Sequence, residues 1–245
     1  MTASRSISGV LYSELLKART TPVTWGFFAV ITLLTALNTS LSLDDPVTQV
    51  ATDAGVRHVF TAGRDFAVLF IALGAVGAAG EFRHHTAVPT FLTTPARHRV
   101  LIAKTFAYAF FGLLIAIGCV AVQMAIALPW IASEAHVVSP LSSAVAVPAV
   151  ASVLSGLGYA AVGVALGTLL RNQVVALVVT FGWFAVAENA LAAIAPDVSR
   201  FLPGGLFSGT DQTDLLAVPL ALALLAGYAV LLNLTAARTT LHQDV

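Results

Sequence analysis

Charge is scarce in this chain: only 10% of its 245 residues are charged, and lysine is nearly missing, with Lys17 and Lys104 standing against ten arginines. A soluble domain of this size needs far more charge to cover its surface. The formal net charge is zero, so the basic footprint of a nucleic-acid binder is absent as well. Cys119 is the sole cysteine and lies in an apolar run, which excludes an intramolecular disulfide and points to packing. A Walker loop, Gly-x-x-x-x-Gly-Lys-Ser/Thr, is also missing. Lys17 is followed by Ala18, and Lys104, though followed by Thr105, is preceded by Ala103. The histidines His84, His85 and His98 stand among Arg83, Arg97 and Arg99. Those cations would repel a metal ion, and no cysteine or carboxylate is spaced to complete a tetrahedral set. An intramembrane serine protease fails too: Ser155-Gly156 lies in an apolar segment, but the last such segment offers no histidine as base.

Apolar sequence is what the chain has in abundance, at 58% hydrophobic residues and a mean hydropathy of +0.90. A spanning helix needs about 20 mostly apolar residues, each rising about 1.5 Å across about 30 Å of hydrocarbon. Six segments meet that test: 22 to 43, 64 to 80, 101 to 129, 145 to 170, 174 to 195 and 215 to 236. The second is the weakest, with Arg64 and Asp65 at its start and Gly74, Gly77 and Gly80 near its end. Pro129 is expected to end or kink the third. Residues 1 to 21 are polar and precede a full-length span, so they do not read as a cleaved signal. The expected organisation is one membrane domain over residues 1 to 245, taken as mature, with no catalytic domain attached.

Orientation follows from the basic residues, which are retained on the cytoplasmic side. An inside N-terminus places Arg5, Lys17, Arg19, Arg83, Arg97, Arg99, Lys104, Arg171 and Arg238 inside, and only Arg57, Arg64 and Arg200 outside. That split predicts six spans with both termini cytoplasmic. Ahead of the first span, Ile7, Val10, Leu11, Leu15 and Ala18 recur at helical spacing, with Ser13, Glu14 and Lys17 toward the other side. The pattern predicts a helix in the membrane interface with Tyr12 at headgroup depth; a frayed leader is the alternative.

The loop from 81 to 100 carries the densest pattern. Glu81-Phe82-Arg83-His84-His85-Thr86 is followed by Thr90-Phe91-Leu92-Thr93-Thr94 between Pro89 and Pro95, then Arg97-His98-Arg99 and Lys104. Paired prolines suit a short helix that would offer Phe91 and Leu92 to a cytoplasmic partner. A basic loop serving only orientation is the other reading. Glu188 is the one carboxylate deep in an expected span, about 10 Å from its outer end. It marks either a transport path or a structural carboxyl group. Asn38 and Gln123 read as packing contacts, and Gly156, Gly158, Gly163 and Gly167 as a close helix crossing, within the chain or with a second copy. Residues 201 to 207 are too short to span, and form either a cap dipping into the outer leaflet or an interfacial turn.

Three stretches together resemble the ABC-2 type permeases, the membrane subunits of bacterial ATP-binding-cassette exporters. Ser13-Glu14-Leu15-Leu16-Lys17-Ala18-Arg19-Thr20-Thr21 with Trp25 is similar to that family's entry sequence. Glu81 to Thr86 with Thr94-Pro95 and Arg97 to Lys104 is similar to its loop after span two, except that His85 stands where the family usually has glycine. Gly163 to Gly167 with Arg171-Asn172-Gln173 matches its step between spans four and five. The resemblance implies an all-α fold of six transmembrane helices preceded by an interfacial amphipathic helix, in the type V exporter-like arrangement. It implies a multi-pass protein of a bacterial inner or plasma membrane, partnered by a second permease copy or homologue and by two copies of an ABC ATPase. ATP and magnesium would bind that ATPase and no cofactor this chain, which by itself is then no enzyme. Glu81, Arg83, Thr86, Phe91, Leu92 and Pro95 would couple the two proteins, and Glu188 would line the path of a substrate such as an amphipathic drug, lipid or peptide. Two other classes stay open: an ATP-independent secondary transporter that moves a proton on Glu188, and a non-transporting scaffold or immunity protein. Paired broken helices and internal repeats, common in secondary transporters, are not found.

Overall fold

The computed structural model describes residues 7–45, 48, 51–61, 66–83, 97–133, 138–206 and 217–242. Every element among them is helical: α1 (Ile7–Thr20), α2 (Pro22–Asp44), α3 (Asp53–Thr61), α4 (Ala67–Arg83), α5 (Arg97–Ser133), α6 (Ser143–Leu170), α7 (Gln173–Gly182), a π-helical turn (Trp183–Ala187), α8 (Glu188–Ile194), α9 (Pro196–Ser199) and α10 (Val218–His242). Five helical stretches are long and apolar enough to cross a membrane: 22–44, 99–133, 143–170, 173–194 and 218–239. Helix α4 has 17 residues, which is about 25 Å and short of a full hydrocarbon core.

Helix α6 forms the centre, packed against α4, α5 and α10. Its glycines set how closely the neighbours approach. A Cβ added at Gly163 would collide with the Ile71 carbonyl and one at Gly167 with that of Ala75, both on α4, while Gly156 meets Ala116 of α5 and Gly158 meets Leu225 of α10. The small residues thus serve a crossing within the chain, the geometry that lets backbones touch where lipid supplies no hydrophobic drive. Asn233 of α10 ties the layers, donating to Ala161 O at 3.0 Å, while Thr105 of α5 donates to Asn233 Oδ1 at 2.8 Å. Gln123 donates to Val59 O at 2.9 Å and so fastens α3 to α5.

The periphery is uncovered. Leu33, Leu37 and Leu41 on α2, Val174 and Val178 on α7, and Val230, Leu231 and Leu234 on α10 are all exposed, an outside that suits acyl chains and not water. Hydroxyls on these helices turn inward onto their own backbone, as Thr35 does on Ile31 O and Thr39 on Thr35 O, at 2.8 and 2.7 Å. Each such hydroxyl is thereby paired without water. The chain is an all-helical, multi-pass membrane protein.

Two expectations are refined and one is corrected. Helix α5 starts at Arg97 and runs through Pro129 to Ser133, so the proline does not end it; a membrane helix near its terminus tolerates the lost N–H. The fifth apolar segment stands as a stretch long enough to span, built from α7, a π turn and α8. On α1, Glu14 does not face away from the apolar stripe: it is 1% exposed, in line with buried Val10 and Ala18 at four-residue spacing, for the reason its partners give.

Candidate functional site

Four charged side chains from three helices meet where α1 packs on α5 and α4 ends. Lys104, on the second turn of α5, reaches Glu14 Oε2 and Glu81 Oε1, both at 2.8 Å. Lys17 reaches Glu14 Oε1 at 2.6 Å and Glu81 Oε1 at 2.9 Å. Each ammonium therefore bridges both carboxylates, a closed quartet of zero net charge. The side chains of Glu14 and Lys104 are almost fully buried, that of Glu81 is 12% exposed, and only Lys17, at 44%, has a broad outlook on the surroundings. Burial works against ionised Glu81, but Lys104 and then Lys17 outweigh it and hold its carboxyl below the ordinary 4.5. Burial likewise opposes the Lys17 ammonium, yet its bonds and attraction to Glu14 and Glu81 prevail and raise it above 10.5. Pairing is what lets Glu14 sit on an apolar stripe.

The neighbouring helix step completes this end of the bundle. Arg171 closes α6 in the left-handed region, at φ 50°, with its N–H on Gly167 O at 3.1 Å. Asn172 then caps α7, its Oδ1 accepting from Val174 N at 2.9 Å and Val175 N at 3.2 Å. Arg-Asn-Gln is thus a two-residue stop and restart. It fastens onto the end of α4, because the Arg171 guanidinium lies 5.6 Å over the Phe82 ring and Arg83 donates to Gln173 Oε1 at 3.3 Å. Beside the quartet is a cavity of about 550 Å³, walled by Leu73, Val76 and Tyr108 in its apolar part and by Lys17, Glu81 and Arg83 in its charged part.

Of the coupling residues expected from sequence, Glu81 is in the quartet and Arg83 on Gln173, while Thr86, Phe91, Leu92 and Pro95 lie outside the described residues. The loop that carries them leaves α4 two residues after Glu81 and enters α5 seven residues before Lys104. Sequence reasoning missed Glu14, Lys17 and Lys104 as a group. A signal was present: the chain spends both of its lysines on the quartet and uses arginine everywhere else. A compact ammonium can bridge two carboxylates in a tight space where a planar guanidinium fork fits poorly.

Glu188 belongs to a separate place at the other end of the α7–α8 stretch. Its Oε1 accepts from the Trp183 indole at 2.6 Å and from Gly204 N at 3.0 Å, and a Cβ on Gly204 would collide with Oε2. The carboxylate therefore holds the turn after α9 against the π turn. Asn189 meets the carbonyls of Phe184 and Ala185 at 3.1 and 3.0 Å, serving acceptors that the wider π winding displaces from regular partners. The same turn is pinned from below by Tyr159, whose hydroxyl donates to Pro203 O, and by Tyr228, which donates to Phe201 O at 3.2 Å. Leu206 is buried in the core. Since Tyr159 lies 11 residues, or about 17 Å, from the Leu170 end of α6, the turn at 203 to 206 is drawn against the middle of that helix as a cap, while most of 196 to 201 stays exposed.

Compared with protein-family models and with curated proteins, the chain matches none.

Proposed function

We propose that this protein is the membrane-spanning subunit of an ATP-driven exporter of the ABC-2 type. In this reading α4 is the second of six spans, both termini and the 84–96 loop are cytoplasmic, and two permease chains work with two copies of an ATPase that binds ATP and magnesium. Glu188 and the folded-back cap lie toward the outer end of the path. The substrate is of an amphipathic class, a drug, lipid or peptide, which suits a bundle with few charges.

One observation supports the reading above others. The three stretches that carry the resemblance are up to 160 residues apart in sequence, yet they converge: Glu14 and Lys17 from the first, Glu81, Arg83 and Lys104 from the second, Arg171 and Gln173 from the third. They lock together the roots of α1, α4, α5 and α7 at the base of the loop that would meet the ATPase. A push on that loop would reach α1, α4 and α5 through salt bridges and α7 through the Arg83–Gln173 hydrogen bond, as coupling requires. A scaffold has no need of such a joint at a loop base.

The test is co-purification with an ABC ATPase from the same cell. Phe91→Ala with Leu92→Ala should weaken association by about 1 to 3 kcal/mol, the range of docking anchors, and lower substrate-stimulated ATP hydrolysis, with the bundle still folded. Unchanged association and unchanged stimulation would overturn the assignment.

A further inference from the structure

The cavity beside the quartet is not explained by coupling. Its floor is apolar, formed by Leu73 and Val76 of α4, and its wall includes Val23 of α2, which is 46% exposed. It therefore opens on the flank of the bundle that faces acyl chains. Its charged side is unbalanced. Three cations, Lys17, Lys104 and Arg83, stand against the carboxylates of Glu14 and Glu81, leaving one positive charge in excess. The excess is also accessible. Glu14 and Lys104 are enclosed, whereas Lys17 and Arg83 are exposed, and Arg83 has no carboxylate partner among the described residues, only the neutral Gln173 amide. A volume of about 550 Å³ is in the range of ligand sites, roughly 300 to 1,000 Å³, and holds an acyl chain of a dozen carbons.

We infer that this cavity binds an anionic phospholipid of the surrounding bilayer, its phosphate at Lys17 and Arg83 and one acyl chain against Leu73 and Val76. A single excess cation selects a headgroup of charge minus one over a zwitterion. The exposed mouth at Val23 admits a chain from the membrane and not a ligand from water. The bound lipid would brace α2 against α4 beside the joint of α1, α4 and α5. The inference does not rest on the transport reading and holds for any role of the bundle.

Native mass spectrometry of the purified full chain with equimolar phosphatidylglycerol and phosphatidylcholine tests it. One phosphatidylglycerol per chain is expected to be retained about fivefold over phosphatidylcholine, the preference one basic side chain near a surface provides. Arg83→Gln should bring the ratio toward one. Val23→Trp, which fills the mouth from an exposed position, should lower retention of both lipids at an unchanged melting temperature. Should that variant melt earlier, six-carbon against fourteen-carbon phosphatidylglycerol on the wild-type chain tests the acyl requirement instead, and the short form should bind weakly. Equal retention of the two headgroups, a preference untouched by Arg83→Gln, or displacement of the lipid by glycerol phosphate alone would each overturn the assignment, the last by revealing a site for a free anion.

Discussion

Replacing Lys104 with methionine separates a structural salt-bridge joint from a decorative one. Methionine matches the length of the stem and keeps its packing, so the substitution removes little but the ammonium. That leaves Glu14, 1% exposed, and Glu81, 12% exposed, facing the half-exposed Lys17 alone, with one negative charge uncompensated. Stripping one partner from a buried pair costs about 3 to 5 kcal/mol, because the survivor stays desolvated. Here Lys17 retains some attraction for both acids, which places Lys104→Met at the lower end, about 3 kcal/mol. The double variant Glu14→Gln with Lys104→Met returns the cluster to neutrality and should recover more than half of that loss, whereas two independent losses would add. Unfolding in mixed micelles, followed by tryptophan fluorescence and by retention on size exclusion, reads both variants. A Lys104→Met chain as stable as wild type, or a double variant worse than the single one, would refute the reasoning.

The acid and alkaline limits follow from the same groups. Glu81 is held below 4.5 in the folded chain, so its contribution is full above that value and is lost as pH falls through the lower folded one. Lys17 is raised above 10.5, so its contribution is full below that value and is lost as pH rises beyond it. Between about pH 5 and pH 10 neither group should make stability vary.

Three further sets of outcomes are expected. Gly163→Val should disrupt assembly of the bundle, since its Cβ would collide with the Ile71 backbone, while Gly26→Ala, with open space around it, should be neutral or stabilise slightly; comparable expression and melting of the two would contradict the α4–α6 crossing. In a Cys119→Ser background, a cysteine at position 90 should label only from the cytoplasmic side and one at position 212 only from outside; the reverse pattern would invert the proposed orientation. Glu188→Ala should loosen the turn at Gly204 and lower the melting temperature, whereas Glu188→Gln keeps an acceptor for Trp183 and Gly204 and should stay folded. Full transport by a well-folded Glu188→Gln chain would limit this side chain to holding the cap.

Periodicity and length made the apolar helices legible, because hydrophobic runs report lipid exposure directly. The break between α6 and α7 was visible as the gap between two apolar segments, although the caps that make it, Arg171 in the left-handed region and the Asn172 side chain, were not read from the sequence. What escaped was whatever depends on partners distant in sequence. Glu14 was assigned to the polar side of α1 because a pattern ranks it as a charge, and nothing nearby announces that Lys104, 90 residues on, neutralises it. The π turn was hidden for a different cause. Trp183 to Ala187 is as apolar as a regular helix, and only the pairing of Glu188 with Trp183 and Gly204 shows what the wider winding accommodates.

Glu14 and Glu188 both sit among apolar helices, and the structure gives them opposite electrostatic settings. Glu14 is matched by two full cations in a nearly closed pocket and fixes helices to one another. Glu188 is matched only by an indole N–H and a peptide N–H, both neutral donors. The first arrangement resists change and suits a joint that transmits force. The second rests on two neutral hydrogen bonds, about 1 to 3 kcal/mol together, and the turn it holds is secured besides by the Tyr159 and Tyr228 hydroxyls and by buried Leu206.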